Sequence, residues 1–227
     1  MKVELITYTP EPDDVCGVAA RTCVSETIPP KGDLFGDWSK SQNALRHALE
    51  SGHESVAEHA VFTFAVEGIS RACSHQLVRH RMASYSQQSQ RYVKMSGKVN
   101  ESQFDFVTPK SIDKASDDVF NEYLSLMIAI DNTYRSFIER GIPEEDARYI
   151  LPNACCTNIV VTMNGRELRH FFKLRCCNRA QWEIRELANQ ILEQVKEVAP
   201  VLFENAGPSC VATGRCPEKQ SCGRVKE

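Results

Sequence analysis

The first apolar pattern, KVELITYT from Lys2, alternates sides as a half-buried strand does, and SKSQNALRHALESG follows with helical spacing and Gly52 as its C-terminal cap. VFTFAVEG, from Val61 to Gly68, alternates again with aromatic and β-branched residues and predicts a second strand. In ISRACSHQLVRHR, residues Ala72, Cys73, Gln76, Leu77 and His80 share one helical face. The longest periodic segment is SIDKASDDVFNEYLSLMIAIDNTYRSFIERG. Its residues Val119, Tyr123, Leu126, Met127, Ile130, Tyr134, Phe137 and Ile138 keep a 3.6-residue period, and Gly141 with Pro143 ends it, predicting one long helix. Pro143 opens a short helix, EEDARYIL; CTNIVVTM alternates as a strand; Asn164 sits as the N-cap of the next helix, ahead of Arg166, Leu168, Phe171 and Phe172. The last helix, WEIRELANQILEQVKEVAP, buries Ile184, Leu187, Ile191, Val195 and Val198, and the remaining Gly/Pro/Cys-rich tail has no period. The pattern predicts an α+β fold, long helices flanking a small antiparallel or mixed sheet, with residues 1–206 as a single domain and 207–227 as a tail.

Composition narrows the class. At 227 residues, 42% hydrophobic and 25% charged, the chain is an ordinary globular protein and neither disordered nor fibrous. MKVELITYTPEPDD has neither the basic region nor the long apolar run of a secretory signal, and no stretch reaches the ~20 apolar residues of a membrane span, so a cytoplasmic location is expected. In that reducing compartment the 10 cysteines, including the adjacent pairs Cys155–Cys156 and Cys176–Cys177, read mostly as buried thiols. Cys210, Cys216 and Cys222 are separated by five residues each, which lacks the close pairing of a zinc site; no metal is assigned, and a loose, reduced tail is expected.

A net charge of −3 argues against binding a nucleic-acid polymer. Cations are clustered all the same. Arg71, Arg79, Arg81 and Arg91 with His75 and His80 occupy one segment, and Arg166, Arg169, Lys173, Arg175 and Arg179 with His170 another, as pockets for small anions do. RHRMASYSQQSQRY, residues 79–92, is too polar to be core. Its arginines offer planar donation to phosphate oxygens, and Ser84, Ser86 and Ser89 offer hydroxyls. Ser55 and Glu58 have the spacing of a capping box, while Phe62, Phe64, Phe171, Phe172 and Trp182 fit core packing better than ring stacking on a ligand.

Arg79-His80-Arg81, seven residues, then Ser89, followed by Arg91 and Tyr92, resembles the signature of the flavin-dependent thymidylate synthases (ThyX). GHESVAEHAVFTFAV from Gly52, DARYILP, NGRELRHFFKLR and AQWEIRELA resemble further segments of that family in the same order, covering about residue 15 to residue 203. The resemblance implies an FAD site at Ser55, Glu58, Arg79, His80, Arg81, Gln87, Asn164, Arg166 and His170. It implies a dUMP site at Gln76, Arg79, Gln87, Gln88, Ser89, Gln90, Arg91, Arg148 and Arg175. Arg175 is the implied catalytic residue, its guanidinium stabilising negative charge on the pyrimidine. The implied reaction is reductive methylation of dUMP to dTMP, with 5,10-methylenetetrahydrofolate as one-carbon donor and NADPH as reductant through the flavin. No cysteine nucleophile takes part, and Ser89 donates a hydrogen bond to substrate. A homotetramer with sites at subunit interfaces is likewise implied. Many relatives carry a carboxylate where Gln87 stands, a glycine where Gln90 stands, and some an asparagine where His170 stands. Two alternatives remain: a single-stranded RNA-binding module using both basic segments, and a flavin-binding relative without activity.

Overall fold

The computed structural model describes residues 1–26, 38–95 and 103–225. The fold is α+β. Strands β1 (Lys2–Tyr8), β2 (Val61–Ser70), β3 (Ala83–Gln87) and β4 (Cys156–Asn164) form an antiparallel sheet in the order β1-β2-β4-β3. The helices are α1 (Pro12–Thr22), α2 (Trp38–Glu50), α3 (Arg71–Leu77), α4 (Lys110–Asp113), α5 (Asp117–Glu139), α6 (Glu144–Ala147), α7 (Gly165–Arg175), α8 (Trp182–Val198) and α9 (Ser209–Thr213). Along β2 the side chains of Phe62, Phe64 and Val66 are buried and those between them more open, which is the period-2 alternation read from the sequence. No described helix is long and apolar enough to cross a membrane.

The chain divides into two compact units. One comprises Met1–Lys2, Val66–Val78 and Ser86–Ile159. Its core gathers Met95, Phe104, Tyr134, Ala147 and Cys155, with Phe106, Ile130, Phe137 and Ile138 packed around them. The expected single long helix is two: α4 ends at Asp113, and Ser116 turns extended before α5 begins. Ser116-Asp117-Asp118 is a helix start in its own right, with a cap-type residue followed by acids in the first turn. The buried positions of α5 are Met127, Asp131 and Tyr134, whereas Val119 and Leu126 are exposed. Buried Asp131 is satisfied by the Phe104 N–H at 3.0 Å and Arg135 Nε at 2.7 Å. Helix α3 stops at Leu77, so His80 is not on its face; Cys73, Ser74 and Leu77 are its buried residues.

The other unit comprises Val3–Ala65, Arg79–Tyr85 and Val160–Glu227. Its core holds Leu45, Phe62, Phe64, Leu168, Phe171, Phe172, Ile184, Leu187, Ile191, Val195 and Phe203, so the two phenylalanine pairs are core as expected. Phe203 meets Phe62 and Phe172 edge-on at 5.4 and 5.8 Å. Asp13 accepts from the N–H groups of Val201 and Leu202, both at 2.8 Å, tying α1 to the chain beyond α8. A β-carbon on Gly17 would lie 2.5 Å from the Ser41 carbonyl oxygen, so only glycine lets α1 approach α2 this closely. The tail is not loose. Cys210 is buried within α9, and Arg224 donates to the Cys176 carbonyl at 3.0 Å and to Asn178 Oδ1 at 3.1 Å.

Candidate active site

Helix α7 organises the site within the second unit. Asn164 is extended, and its Oδ1 accepts from the Glu167 N–H at 2.9 Å, so the predicted N-cap is present. Gly165 brings the first turn of α7 against the turn Glu54–His59: a β-carbon there would lie 2.7 Å from the Ala57 carbonyl oxygen. This approach lets Arg166 pair with Glu58 at 2.5 Å. The expected capping box fails, because Ser55 is inside a 3-10 turn whose N-cap position is His53 and Glu58 is turned to Arg166. Ser55 is exposed.

Glu54, Glu58, Met82, Asn164, Arg166, Glu167 and His170 line one cavity of about 450 Å³. Four of the residues assigned to FAD by resemblance are therefore neighbours: Glu58, Asn164, Arg166 and His170. Arg79 and Arg81 are exposed, and their side chains make no hydrogen bond or ion pair with another described residue, leaving both cations open to an anion. His80 differs: it is buried at 5% exposure, though the segment looked too polar to be core. Its Nδ1 faces Glu167 Oε1 at 3.1 Å and its Nε2 accepts from Arg175 Nε at 3.1 Å. The Phe171 ring meets it edge-on at 4.9 Å. Burial holds the His80 pKa below the usual histidine range; Arg175 and His170 push the same way, and Glu167 opposes them.

In the first unit, the segment after Ser86 completes β3, a strand that composition concealed. Gln87 Nε2 donates to Ser74 Oγ at 3.0 Å and Thr157 Oγ1 at 3.2 Å. Gln90 is buried; its Oε1 accepts from Arg71 Nη2 at 3.2 Å and its Nε2 faces Cys155 Sγ at 3.7 Å. Both amides are thus engaged by the unit's own side chains. Gln88 lines a cavity of about 490 Å³ with Lys2, Glu67, Asp105 and Asn158, and Ser89 Oγ accepts from the Arg91 N–H at 3.1 Å. Arg91 Nε donates to Glu145 Oε2 at 2.6 Å, and Arg148 Nε to the Glu145 carbonyl at 3.0 Å, so one residue gathers two cations. Gln76 is half-buried on α3.

Sequence reasoning passed over Glu145, Glu167 and Met82. Glu145 reads as an ordinary first-turn acid and Glu167 as the third residue after an N-cap; both have bland local explanations. Among the described residues no group of three or more His, Cys, Asp or Glu side chains is arranged to hold a metal ion.

The α+β chain thus presents a polar cavity at a capped helix start, with two exposed arginines in the same unit. Residues 4–201 match the family described as thymidylate synthase complementing protein, and the chain belongs to that family. It is 50% identical over 230 residues to the flavin-dependent thymidylate synthase of Geobacter sulfurreducens, covering 100% of this chain and 96% of the relative. It is 47% identical to the enzymes of that name from Clostridium tetani, covering 100% and 95%, and Pyrococcus horikoshii, covering 97% and 91%.

Proposed function

We propose that the protein is a flavin-dependent thymidylate synthase, converting dUMP to dTMP with 5,10-methylenetetrahydrofolate as one-carbon donor and NADPH as reductant. The observation that carries this is the convergence of Glu58, Asn164, Arg166 and His170 on one cavity at the start of the helix whose last residue is Arg175. The donors fit FAD. An amide, an imidazole and a guanidinium supply hydrogen bonds for a polar ring edge, and the open Arg79 and Arg81 supply charge for a pyrophosphate. FAD, when bound, supplies the redox chemistry.

The chain's own groups do the rest. Arg91 and Arg148, held around Glu145, are matched to a nucleotide phosphate, and Ser89 donates to it. Arg175, which cannot lose its proton, stabilises negative charge developing on the pyrimidine. Gln76, Gln87 and Gln88 complete the nucleotide set. For Gln90 the internal bonds to Arg71 and Cys155 favour shaping the loop over touching substrate. A homotetramer with sites at subunit interfaces, a single catalytic domain with an appended tail, and a cytoplasmic location belong to the same proposal. No observation favours RNA binding.

The test is an absorbance scan of the purified protein with FAD, then anaerobic NADPH with and without dUMP. A bound-flavin spectrum that bleaches faster with dUMP, followed by dTMP formation, is expected. Failure to bind flavin at any protein concentration would refute the proposal.

A further inference from the structure

Arginine has five N–H donors and no acceptor. Where Arg175 Nε lies 3.1 Å from His80 Nε2, that ring nitrogen must therefore offer its lone pair. A neutral imidazole then carries its single proton on Nδ1, which points at Glu167 Oε1, 3.1 Å away. The order is fixed at both ends: a carboxylate that only accepts, a histidine that donates to it and accepts behind, and an arginine that only donates. His80 and Glu167 are 5% and 8% exposed, so the bond between them is largely shielded from water.

We infer that Glu167 is a positioning residue for Arg175, acting through the tautomer it imposes on His80. This rests on the activity proposed above. Holding Arg175 by Nε leaves its two terminal nitrogens without a partner among the described residues and aims the far edge of the guanidinium. A guanidinium on four rotatable bonds loses much of its freedom when one edge is anchored, so less is lost when substrate binds. It also reassigns His80. Both ring nitrogens are used inside the unit, so the histidine of the signature serves Arg175 and has no N–H left for a cofactor.

The groups facing the imidazole are Glu167, His170, Arg175 and Phe171 on α7, and Tyr85 on β3, whose hydroxyl donates to the His80 carbonyl at 2.8 Å. Glu167 is the one carboxylate among them. Protonating His80 would set an N–H against the Arg175 N–H and release the guanidinium. His80 stays neutral below the ordinary histidine range, so the arrangement holds at neutral pH and fails in acid.

The test combines 15N spectra of histidine-labelled full-length protein, with His80 assigned by difference against His80→Gln, and steady-state kinetics of Glu167→Gln and Glu167→Leu. In the wild type at neutral pH, His80 is expected to carry its proton on Nδ1. In Glu167→Leu nothing accepts from Nδ1–H, so the proton shifts to Nε2 at the expense of the Arg175 bond, and kcat falls about 10- to 100-fold, as for other residues that orient a reacting group. Glu167 also lines the cavity with Asn164 and Arg166, so FAD affinity is titrated in parallel, and kcat measured at saturating FAD is expected to fall by more than the affinity does. Glu167→Gln keeps an acceptor and restores part of kcat. Its acid limb moves to lower pH, because the charge that raises the His80 pKa is gone. Should Glu167→Leu not fold, the wild-type tautomer and the Gln variant carry the test. A wild-type His80 protonated on Nε2, or kcat unchanged in either variant while dTMP is formed, overturns the positioning role. No dTMP from the wild type, with either tautomer, refutes the activity itself.

Discussion

Arg91 donates its Nε–H to Glu145 Oε2 at 2.6 Å, and both side chains are about half exposed. Such pairs contribute on the order of 0–1 kcal/mol, so a phosphate dianion can take the guanidinium from the carboxylate at little cost. Glu145→Gln removes the competitor. Its KM for dUMP is expected to fall or stay within about three-fold of the wild type. Arg91→Ala is expected to raise that KM about ten-fold or more, with FAD affinity unchanged. Isothermal titration of each variant with dUMP and with FAD separates the effects. If Arg91→Ala weakened both ligands equally, Arg91 would be a structural residue.

Arg175→Lys keeps the charge and loses both the planar fork and the Nε–H that meets His80. A loss of about 10²- to 10³-fold in kcat is expected, the usual size for removing an electrostatic contact made in the transition state. Flavin binding should change only a few-fold, because Arg175 is not among the residues lining the cavity with Asn164 and Arg166. Parallel FAD titration and single-turnover dTMP formation check it. Equal losses in both would show that Arg175 supports the fold or the cofactor.

Much of this was legible beforehand because the segments concerned are governed by local rules. Strand β2 alternates, Asn164 has the spacing of a cap, and the apolar stripe of α8 buries Ile184, Leu187, Ile191 and Val195 as its period requires. What stayed hidden depends on partners distant in sequence. His80 lies in a basic, polar run, yet Glu167 and Arg175, 87 and 95 positions away, make its burial tolerable. Strand β3 was concealed for a similar reason. Ala83–Gln87 has little apolar character, and its ladder partners come from β4. Ser55 and Glu58 illustrate the reverse error: the spacing of a capping box is present, but Glu58 finds a stronger partner in Arg166.

Asn164 serves α7 with its oxygen and faces the cavity beside Arg166 and His170, so its two roles can be separated by substitution. Asn164→Asp keeps the acceptor and suits the positive end of the helix, but it removes the amide donor and adds negative charge to the cavity. Thermal stability should stay within about 0.5 kcal/mol of the wild type while FAD affinity falls about ten-fold. Asn164→Ala should lose about 1 kcal/mol of stability as well. Denaturant melts and flavin fluorescence titration of the two variants read this out. An aspartate variant that binds FAD normally would reduce Asn164 to a cap.

Asp14 is buried on α1, with one carboxylate oxygen unpartnered among the described residues, and its pKa is pushed up to about 6 by burial and by neighbouring Glu11 and Asp13. The native state therefore holds this proton more tightly than the unfolded chain, whose aspartate titrates near 3.8. Between pH 3.8 and about 6 the native protein binds more protons, so the contribution of Asp14 to stability falls as pH rises and is at its least favourable above that window. Asp14→Asn removes the buried charge. At pH 8 the variant is expected to be more stable by about 1–3 kcal/mol, a Tm higher by about 2–4 °C per kcal/mol for a chain of this length. Near pH 3.5, where the wild-type carboxyl is largely protonated in both states, the difference should vanish. Melting curves of both proteins from pH 3.5 to 8 test this directly: a variant no more stable at pH 8 than the wild type would mean that Asp14 is well solvated or paired in its charged form.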